Sequence, residues 1–510
     1  MSRQILLVFI FLALICESGW LSAAYELQVR PNDNRPNVVM IIVDDLNDWI
    51  GCLSGHPQAK TPNIDRLAKQ GILFSNAHCQ GPICGPSRCS FLSGKYPFTT
   101  GVYQQPQKKE LESDEKFFRG HLIPEYFAKH GYATTGVGKV THGYREEIAF
   151  QKFGGEFEKS GPKPPDNRRF HFRPPDHPFI GTQTDWGAYP ESDGQMPDFK
   201  SASYAINFLS QNHDAPFFLA VGLVRPHVPF YVPKKWMEMF PEDKIQLPRF
   251  FRDDLDDVPQ ISQEIHELPN YPNLEFLQAN DNQQFRKCVQ AYLACTAFVD
   301  HQVGRILKQL NHSKHSENTV VVFLSDHGYH LGEKDRVSKH SLWEESTRVP
   351  LIVVPAQNQI AQNKFKTGSE VKKPVGLIDV YPTLLDLCRL PPKRTNEGYS
   401  LRLLMEDPKM DWQFGVLTTY ARGCHSLRTD QHRYIQYENG DEELYDHSID
   451  PDEWENLAGL DEYGELVARC RIEVPSEGAK YHPSVSAAPV NEWFRKHFER
   501  NGLTVKNKKR

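Results

Sequence analysis

The chain has no apolar run long enough to cross a bilayer, which takes about 17 to 25 residues; the run Ile5 to Ile15 is too short, and the others are no longer than a strand or helix needs. It has no paired CxxC units either, which argues against a structural zinc site. No charge of one sign dominates: 59 Lys and Arg stand against 65 Asp and Glu, a net charge of −6. With a pI of about 6.4 this is no dedicated nucleic-acid binder, and any polyanion must be met by local basic clusters. Internal repeats are absent. The 39% apolar and 24% charged fractions exclude wholesale disorder and collagen-like repetition. A length of 510 residues allows several domains, or one large α/β domain with a smaller companion.

The first 24 residues read as a secretory signal. Arg3 gives a positive start, Ile5 to Ile15 is an apolar run, and Ser22-Ala23-Ala24 supplies small residues for cleavage. The expected destination is secreted, periplasmic or lysosome-like. Without Cys16 nine cysteines remain, an odd number, so at least one thiol needs an explanation other than a disulfide.

Three apolar runs end in polar residues. Val38 to Val43 stops at Asp44-Asp45, Phe217 to Val221 runs into Arg225-Pro226-His227, and Val320 to Leu324 ends at Ser325-Asp326-His327-Gly328. Runs apolar on both faces predict strands of a parallel sheet covered by helices. Ligands bind beyond the carboxyl ends of such strands, so three Asp and two His are expected at one edge. Helices are predicted over Asn63 to Gln70, stopped by Gly71, and over 284–310. The second carries Val289, Leu293, Thr296, Val299, Val303, Ile306 and Leu310 at helical steps. The reading is one α/β domain with a large, mostly parallel sheet over residues 36–395. A smaller antiparallel subdomain over 396–510 follows, with strands near Ser426 to Thr429, Arg433 to Tyr437 and Glu442 to Tyr445. Asn439-Gly440 gives a hairpin turn, and a closing helix is expected near Asn491 to Arg500. A Pro-rich stretch at 159–180, holding Lys163, Arg168, Arg169 and Arg173, reads as an ordered insertion loop, either a solvated surface loop or a rim that grips anionic groups.

Cys84-Gly85-Pro86-Ser87-Arg88, followed by Leu92-Ser93-Gly94, resembles the sulfatase signature. The resemblance covers about residues 36 to 458. It includes Ile42-Val43-Asp44-Asp45, Thr61 to Leu67, Gly138-Lys139…His142, Arg225-Pro226-His227-Val228-Pro229-Phe230, Ser325-Asp326-His327-Gly328…Lys339 and Leu444-Tyr445-Asp446. Within the family, the spacing from Asp326 to Lys339 is similar to the iduronate-2-sulfatase branch. Trp343-Glu344-Glu345 and Arg348-Val349-Pro350 resemble marine bacterial polysaccharide sulfatases.

This resemblance implies an alkaline-phosphatase-like fold and a sulfuric ester hydrolase. Cys84 would be matured by a formylglycine-generating enzyme to formylglycine (3-oxoalanine). Asp44, Asp45, Cys84, Asp326 and His327 would hold one Ca²⁺, an oxygen-rich set suited to a hard cation. Arg88 and Lys139 would hold sulfate oxygens, His227 or Lys339 would protonate the leaving oxygen, and His142 would act as base. The substrate implied is a sulfated carbohydrate, a glycosaminoglycan or an algal polysaccharide. Alternatives are a formylglycine-dependent phosphomonoester or phosphonate hydrolase, and an inactive carbohydrate-binding homologue. The presence of Cys84, Arg88 and the aspartates speaks against the last.

Overall fold

The computed structural model describes residues 34–486 except 145, 158–160, 170–183, 267–270 and 363–364. The expected signal peptide, the closing helix at 491–500 and much of the Pro-rich loop, Arg173 included, lie outside the described residues.

Eight strands form the main sheet: β1 (Asn37–Val43), β2 (Ile72–Phe74), β3 (Ala133–Gly138), β4 (Lys152–Phe153), β5 (Phe217–Leu223), β6 (Thr319–Ser325), β7 (Leu351–Val354) and β8 (Ser369–Val371). Their spatial order is β8-β2-β7-β6-β1-β5-β3-β4. β6, β1, β5, β3 and β4 are mutually parallel, while β7 runs antiparallel to both its neighbours. At the centre Val39 lies opposite both Leu219 and Val321. Alternate side chains of β1 feed two different cores. Val38, Met40 and Ile42 pack on one face, and Val39, Ile41 and Val43 on the other. With both faces covered, every side chain of the strand must be apolar, which is why these strands read as unbroken runs.

Helices supply the cover. α1 (Pro62–Gln70) begins on a proline, whose fixed φ and missing N–H suit a first turn; it buries Ile64, Leu67 and Ala68. α2 (Cys84–Ser93) is buried at all ten residues. α3 (Leu274–His312) lays Val299, Val303, Ile306 and Leu310 on the second core. It starts ten residues before the expected 284. The Asn273 side chain accepts the Phe276 N–H at 3.0 Å and caps it. Left-handed Asp281 and Asn282 (φ 58° and 59°) then throw its first turns out of phase with the later stripe.

The C-terminal meander has four strands, β9 (Val416–Ala421), β10 (Cys424–Arg428), β11 (His432–Gln436) and β12 (Glu442–Asp446), paired antiparallel in chain order. β9 was not expected, because Thr418 and Thr419 interrupt its apolar pattern. Both are buried, with Thr418 bonded to the Cys79 carbonyl and Thr419 to His425. The Asn439-Gly440 turn does join β11 and β12, through residues 437–441 rather than a two-residue turn. Asn439 bonds Asp441 twice, and Gly440 takes φ 95°.

Through Tyr420, Ile435, Tyr437 and Tyr445 this sheet packs on Ile83, Leu342 and Trp343. Trp343 also donates its indole N–H to Glu443 at 2.9 Å. Its burial is worth on the order of 3 kcal/mol. The small sheet thereby buttresses the residue before Cys84 and the segment after Lys339. In the Pro-rich loop, Arg169 pairs with Asp166 at 3.0 Å and bonds the Pro164 carbonyl, while Arg168 lies over the Tyr189 ring.

Candidate active site

Four neighbouring parallel strands end at one edge and deliver six polar residues: β6 leads to Asp326 and His327, β1 to Asp44 and Asp45, β5 to His227, and β3 to Lys139. Beneath them α2 begins at Cys84, its first turn aimed at the cluster. Burial is total for Asp44, Asp45, Arg88, Asp326 and His327.

The Cys84 thiol sits between two nitrogens, 3.0 Å from Lys339 Nζ and 3.2 Å from His327 Nε2. It is a free thiol, as are the other described cysteines, including its near neighbours Cys79 and Cys89. Lys339 Nζ also donates to Asp45 Oδ1 at 2.7 Å. One helical turn past Cys84, Arg88 donates Nε to Asp326 Oδ2 at 2.8 Å and Nη1 to the Lys139 and Val140 carbonyls. Lys139 Nζ reaches Asp44 Oδ2. His327 donates Nδ1–H to the Gly328 carbonyl at 2.9 Å, which turns Nε2 inward, 3.3 Å from Asp45 and 3.6 Å from Asp326. His227 is oriented the same way by its Nδ1 bond to the Val228 carbonyl at 2.6 Å. His142 follows Lys139 in left-handed backbone (φ 95°).

The charges are strongly tuned. Burial pushes Asp44 upward, but Lys139, His227, Arg88 and Lys339 together hold it well below the usual carboxylate range. For Asp45 burial wins, only partly offset by Lys339, and its pKa is raised. Burial, reinforced by the lysines, keeps His227 and His142 neutral. Lys339 stays protonated against its burial because Asp45 and Cys84 face it. His327 is pushed up to about 9, its burial outweighed by Asp326 and Cys84.

Even with these contacts, Asp44 Oδ1, Asp45 Oδ2 and Arg88 Nη2 are buried with no hydrogen-bond partner among the described residues, although Arg88 Nη2 faces Asp44 Oδ1 at 3.7 Å. Orphaned carboxylate oxygens cost about 1 to 3 kcal/mol or more each, and they are what a hard cation would take. Two overlapping sets of donor atoms each lie within 4.8 Å of one another: Asp44, Asp45, Cys84 and His227, and Asp44, Cys84, Asp326 and His327. The residues therefore fit a divalent cation with mainly oxygen ligands.

Every site residue expected from the sequence is found in this cluster or among its electrostatic neighbours; His142 faces Lys139, Asp44, Arg88 and Lys339. Three supporting residues carried no separate expectation. Ser87 bonds the Asp326 carbonyl. Arg225 donates to the His227 carbonyl at 2.9 Å and fixes that turn. Tyr271, whose electrostatic neighbours include Lys339, Asp45 and Cys84, comes from a loop with no pattern to mark it.

The profile of the Sulfatase family matches residues 36–390, and that of the N-sulphoglucosamine sulphohydrolase C-terminal region matches 332–477. The chain is 38% identical over 462 residues to a sulfatase of Formosa agariphila, covering 89% of each chain. It is 30% identical over 443 residues to human iduronate 2-sulfatase, covering 78% of this chain and 77% of that one. Among solved structures, the phosphonate monoester hydrolase of Agrobacterium radiobacter superposes with a TM-score of 0.68 at 21% identity, over 86% of this chain and 94% of that one. This is the alkaline-phosphatase-like fold.

Proposed function

Because the chain belongs to the sulfatase family and is a sulfuric ester hydrolase, we propose that it removes sulfate from carbohydrates through a formylglycine made from Cys84, assisted by one Ca²⁺. The observation that carries this is the placement of Cys84. It heads a fully buried helix, with a lysine and a histidine nitrogen on its sulfur and unpartnered carboxylate oxygens nearby. Maturation requires a formylglycine-generating enzyme, and the apolar start of the chain agrees with export to a secreted, periplasmic or lysosome-like compartment.

Asp44, Asp45, Asp326 and the inward His327 Nε2 are the groups that would hold the cation, which when bound neutralises sulfate oxygens and acidifies a neighbouring hydroxyl. The hydrate of formylglycine offers two hydroxyls: one to receive the sulfuryl group, the other to expel sulfate and restore the aldehyde. Arg88 and Lys139 stand as fixed cations for the sulfate and the hydrate. Lys339, held protonated beside the nucleophile, is placed to give the leaving sugar oxygen its proton, and His227 turns its Nε2 toward the same space. Neutral His142 suits the base that takes the proton from the second hydroxyl.

The names of two relatives, human iduronate 2-sulfatase and an ulvan-active sulfatase of Formosa agariphila, support a glycosaminoglycan or algal polysaccharide fragment as substrate. Peptide mass spectrometry of the exported protein, alongside 4-nitrophenyl sulfate and 4-nitrophenyl phosphonate assays, tests the reading. An aldehyde at position 84 with sulfate turnover is expected. An unmodified Cys84 in active enzyme would overturn the formylglycine mechanism, and a preference for the phosphonate would move the protein to the hydrolases of that ester.

A further inference from the structure

Tyr271, a neighbour of Cys84 and Lys339, also faces a buried cation, Arg336, that the chemistry above does not use. Arg336, three residues before Lys339, is 7% exposed, and no carboxylate lies within 4.0 Å of its guanidinium among the described residues. Its one side-chain hydrogen bond, Nη1 to the His340 carbonyl, is long at 3.4 Å. The guanidinium otherwise lies over the Trp343 ring, 5.6 Å from its centroid. The nearby acids are taken: Asp335 accepts the Leu274 N–H at 2.6 Å, Asp254 pairs with Lys334, and Glu344 and Glu453 pair with Arg433. Burying a charge without a counter-charge is expensive. The cost shows as a pKa lowered by burial to about 10.

The segment is built to keep Arg336 there. Lys334 and Asp335 both adopt left-handed backbone (φ 53°), and Val337 N–H is tied to the Pro272 carbonyl. A second polar group in the same place is also unmet. Tyr420 is fully buried and its hydroxyl has no hydrogen-bond partner among the described residues. The His340 ring stands between Tyr420 and Tyr271, 6.1 and 6.2 Å from their ring centres, and His340 directly follows Lys339, whose Nζ touches the Cys84 sulfur. His266, His330 and His340 around the guanidinium are all held neutral by burial, so none competes as a cation.

We propose that Arg336 and the Tyr420 hydroxyl receive a second anionic group, a carboxylate or a second sulfate, carried by the same sugar whose sulfate ester reacts at Cys84. The substrate class is then a doubly anionic sugar rather than a neutral sugar bearing one sulfate. This rests on the sulfatase reading above and deepens it. A planar guanidinium with free N–H groups matches either anion by two parallel hydrogen bonds. The hydroxyl adds a third donor, and the Trp343 ring lies against the guanidinium.

The test compares kcat/KM on four substrates: a hexuronate 2-O-sulfate, its carboxyl methyl ester, a neutral hexose monosulfate and a neutral hexose disulfate. Wild-type enzyme should favour a doubly anionic sugar over its singly charged counterpart by about 10- to 100-fold, the range of a charge-assisted pair. The first two substrates report a carboxylate receptor and the last two a second-sulfate receptor. Arg336→Gln should bring the preference to within about threefold of unity, Arg336→Lys should keep part of it, and Tyr420→Phe should lower it about three- to tenfold. No preference in the wild type, or an undiminished one in Arg336→Gln, overturns the inference.

Arg336→Met gives a readout that a structural arginine would not: its melting temperature should equal or exceed the wild type, because an uncompensated buried charge is gone. A loss of several degrees would assign Arg336 to the fold instead. Turnover of 4-nitrophenyl sulfate without discrimination among the sugars sinks this inference and leaves the sulfatase reading standing. Silence on every sulfate sinks that reading. Calorimetric binding of glucuronate, abolished by Arg336→Gln or not, then decides the receptor by itself.

Discussion

Cys84 and Lys339 define the smallest scale at which the chemistry is decided. The sulfur lies 3.0 Å from Lys339 Nζ and 3.2 Å from His327 Nε2, so a serine would fit with little disturbance. Yet Cys84→Ser should lower kcat by about 1,000-fold or more, because one hydroxyl has no partner oxygen with which to expel sulfate. Mass spectrometry after incubation with substrate should find the serine sulfated, with the melting temperature close to wild type. Undiminished turnover would show that the ordinary nucleophile suffices. Lys339→Ala separates proton donation from binding. Its cost should depend on the leaving group: about 100- to 10,000-fold on a sugar sulfate, whose alkoxide needs a proton, and much less on 4-nitrophenyl sulfate, whose phenolate leaves unaided. Equal losses on both substrates would make Lys339 a sulfate-binding residue only.

At the scale of elements, the short turn before the helix Val380–Leu387 carries a measurable pH signature. Asp379, 5% exposed, accepts the N–H of Gly376 at 2.8 Å and of Tyr399 at 2.7 Å, joining two segments through one carboxylate. Burial raises its pKa from the usual carboxylate range to about 7, against those two N–H bonds. A carboxyl raised in the folded state binds its proton more tightly there than when unfolded. Its stabilising contribution is therefore complete below about pH 4 and is lost as pH rises toward 7. Asp379→Asn should remove that slope, at most about 1.4 kcal/mol per pH unit. Urea unfolding of both proteins between pH 4 and 8 checks it; parallel stability curves would mean Asp379 is ionised in the fold throughout.

Legibility in the sequence divides along the same lines. β1, β5 and β6 were readable because sheet faces covered on both sides demand unbroken apolar runs, and the polar residues that end those runs are the site. β9 was not, because Thr418 and Thr419 are buried by bonding the Cys79 carbonyl and His425, which no apolar pattern records. The first turns of α3 were lost to the left-handed pair at 281 and 282. Arg336 escaped because an arginine in a charged stretch reads as solvated until its burial and its missing acid are known.

For the whole molecule, the site is a junction. Carboxylates from β1 and β6 meet the head of α2 through Arg88, and the C-terminal sheet presses Ile83 and Trp343 against the same place. Three buried aspartates face three cations, Arg88, Lys139 and Lys339, and still leave Asp44 Oδ1 and Asp45 Oδ2 without a hydrogen bond among the described residues. An ion bound there would tie the ends of two paired strands to the head of the helix, so it should stabilise the fold as well as serve the reaction. Ligand binding to the folded state alone adds about 3 to 4 kcal/mol when the free ion is 100 to 1,000 times its Kd. In a chain of this size that corresponds to a fall of roughly 5 °C or more in Tm on chelation. Treatment with EGTA should lower Tm by about that much and abolish turnover, and Ca²⁺ should restore both. Asp45→Asn should melt like the chelated wild type and respond weakly to Ca²⁺. Unchanged melting after exhaustive chelation, or stoichiometric zinc in the purified protein, would overturn the calcium assignment and require the orphaned oxygens to be met by substrate alone.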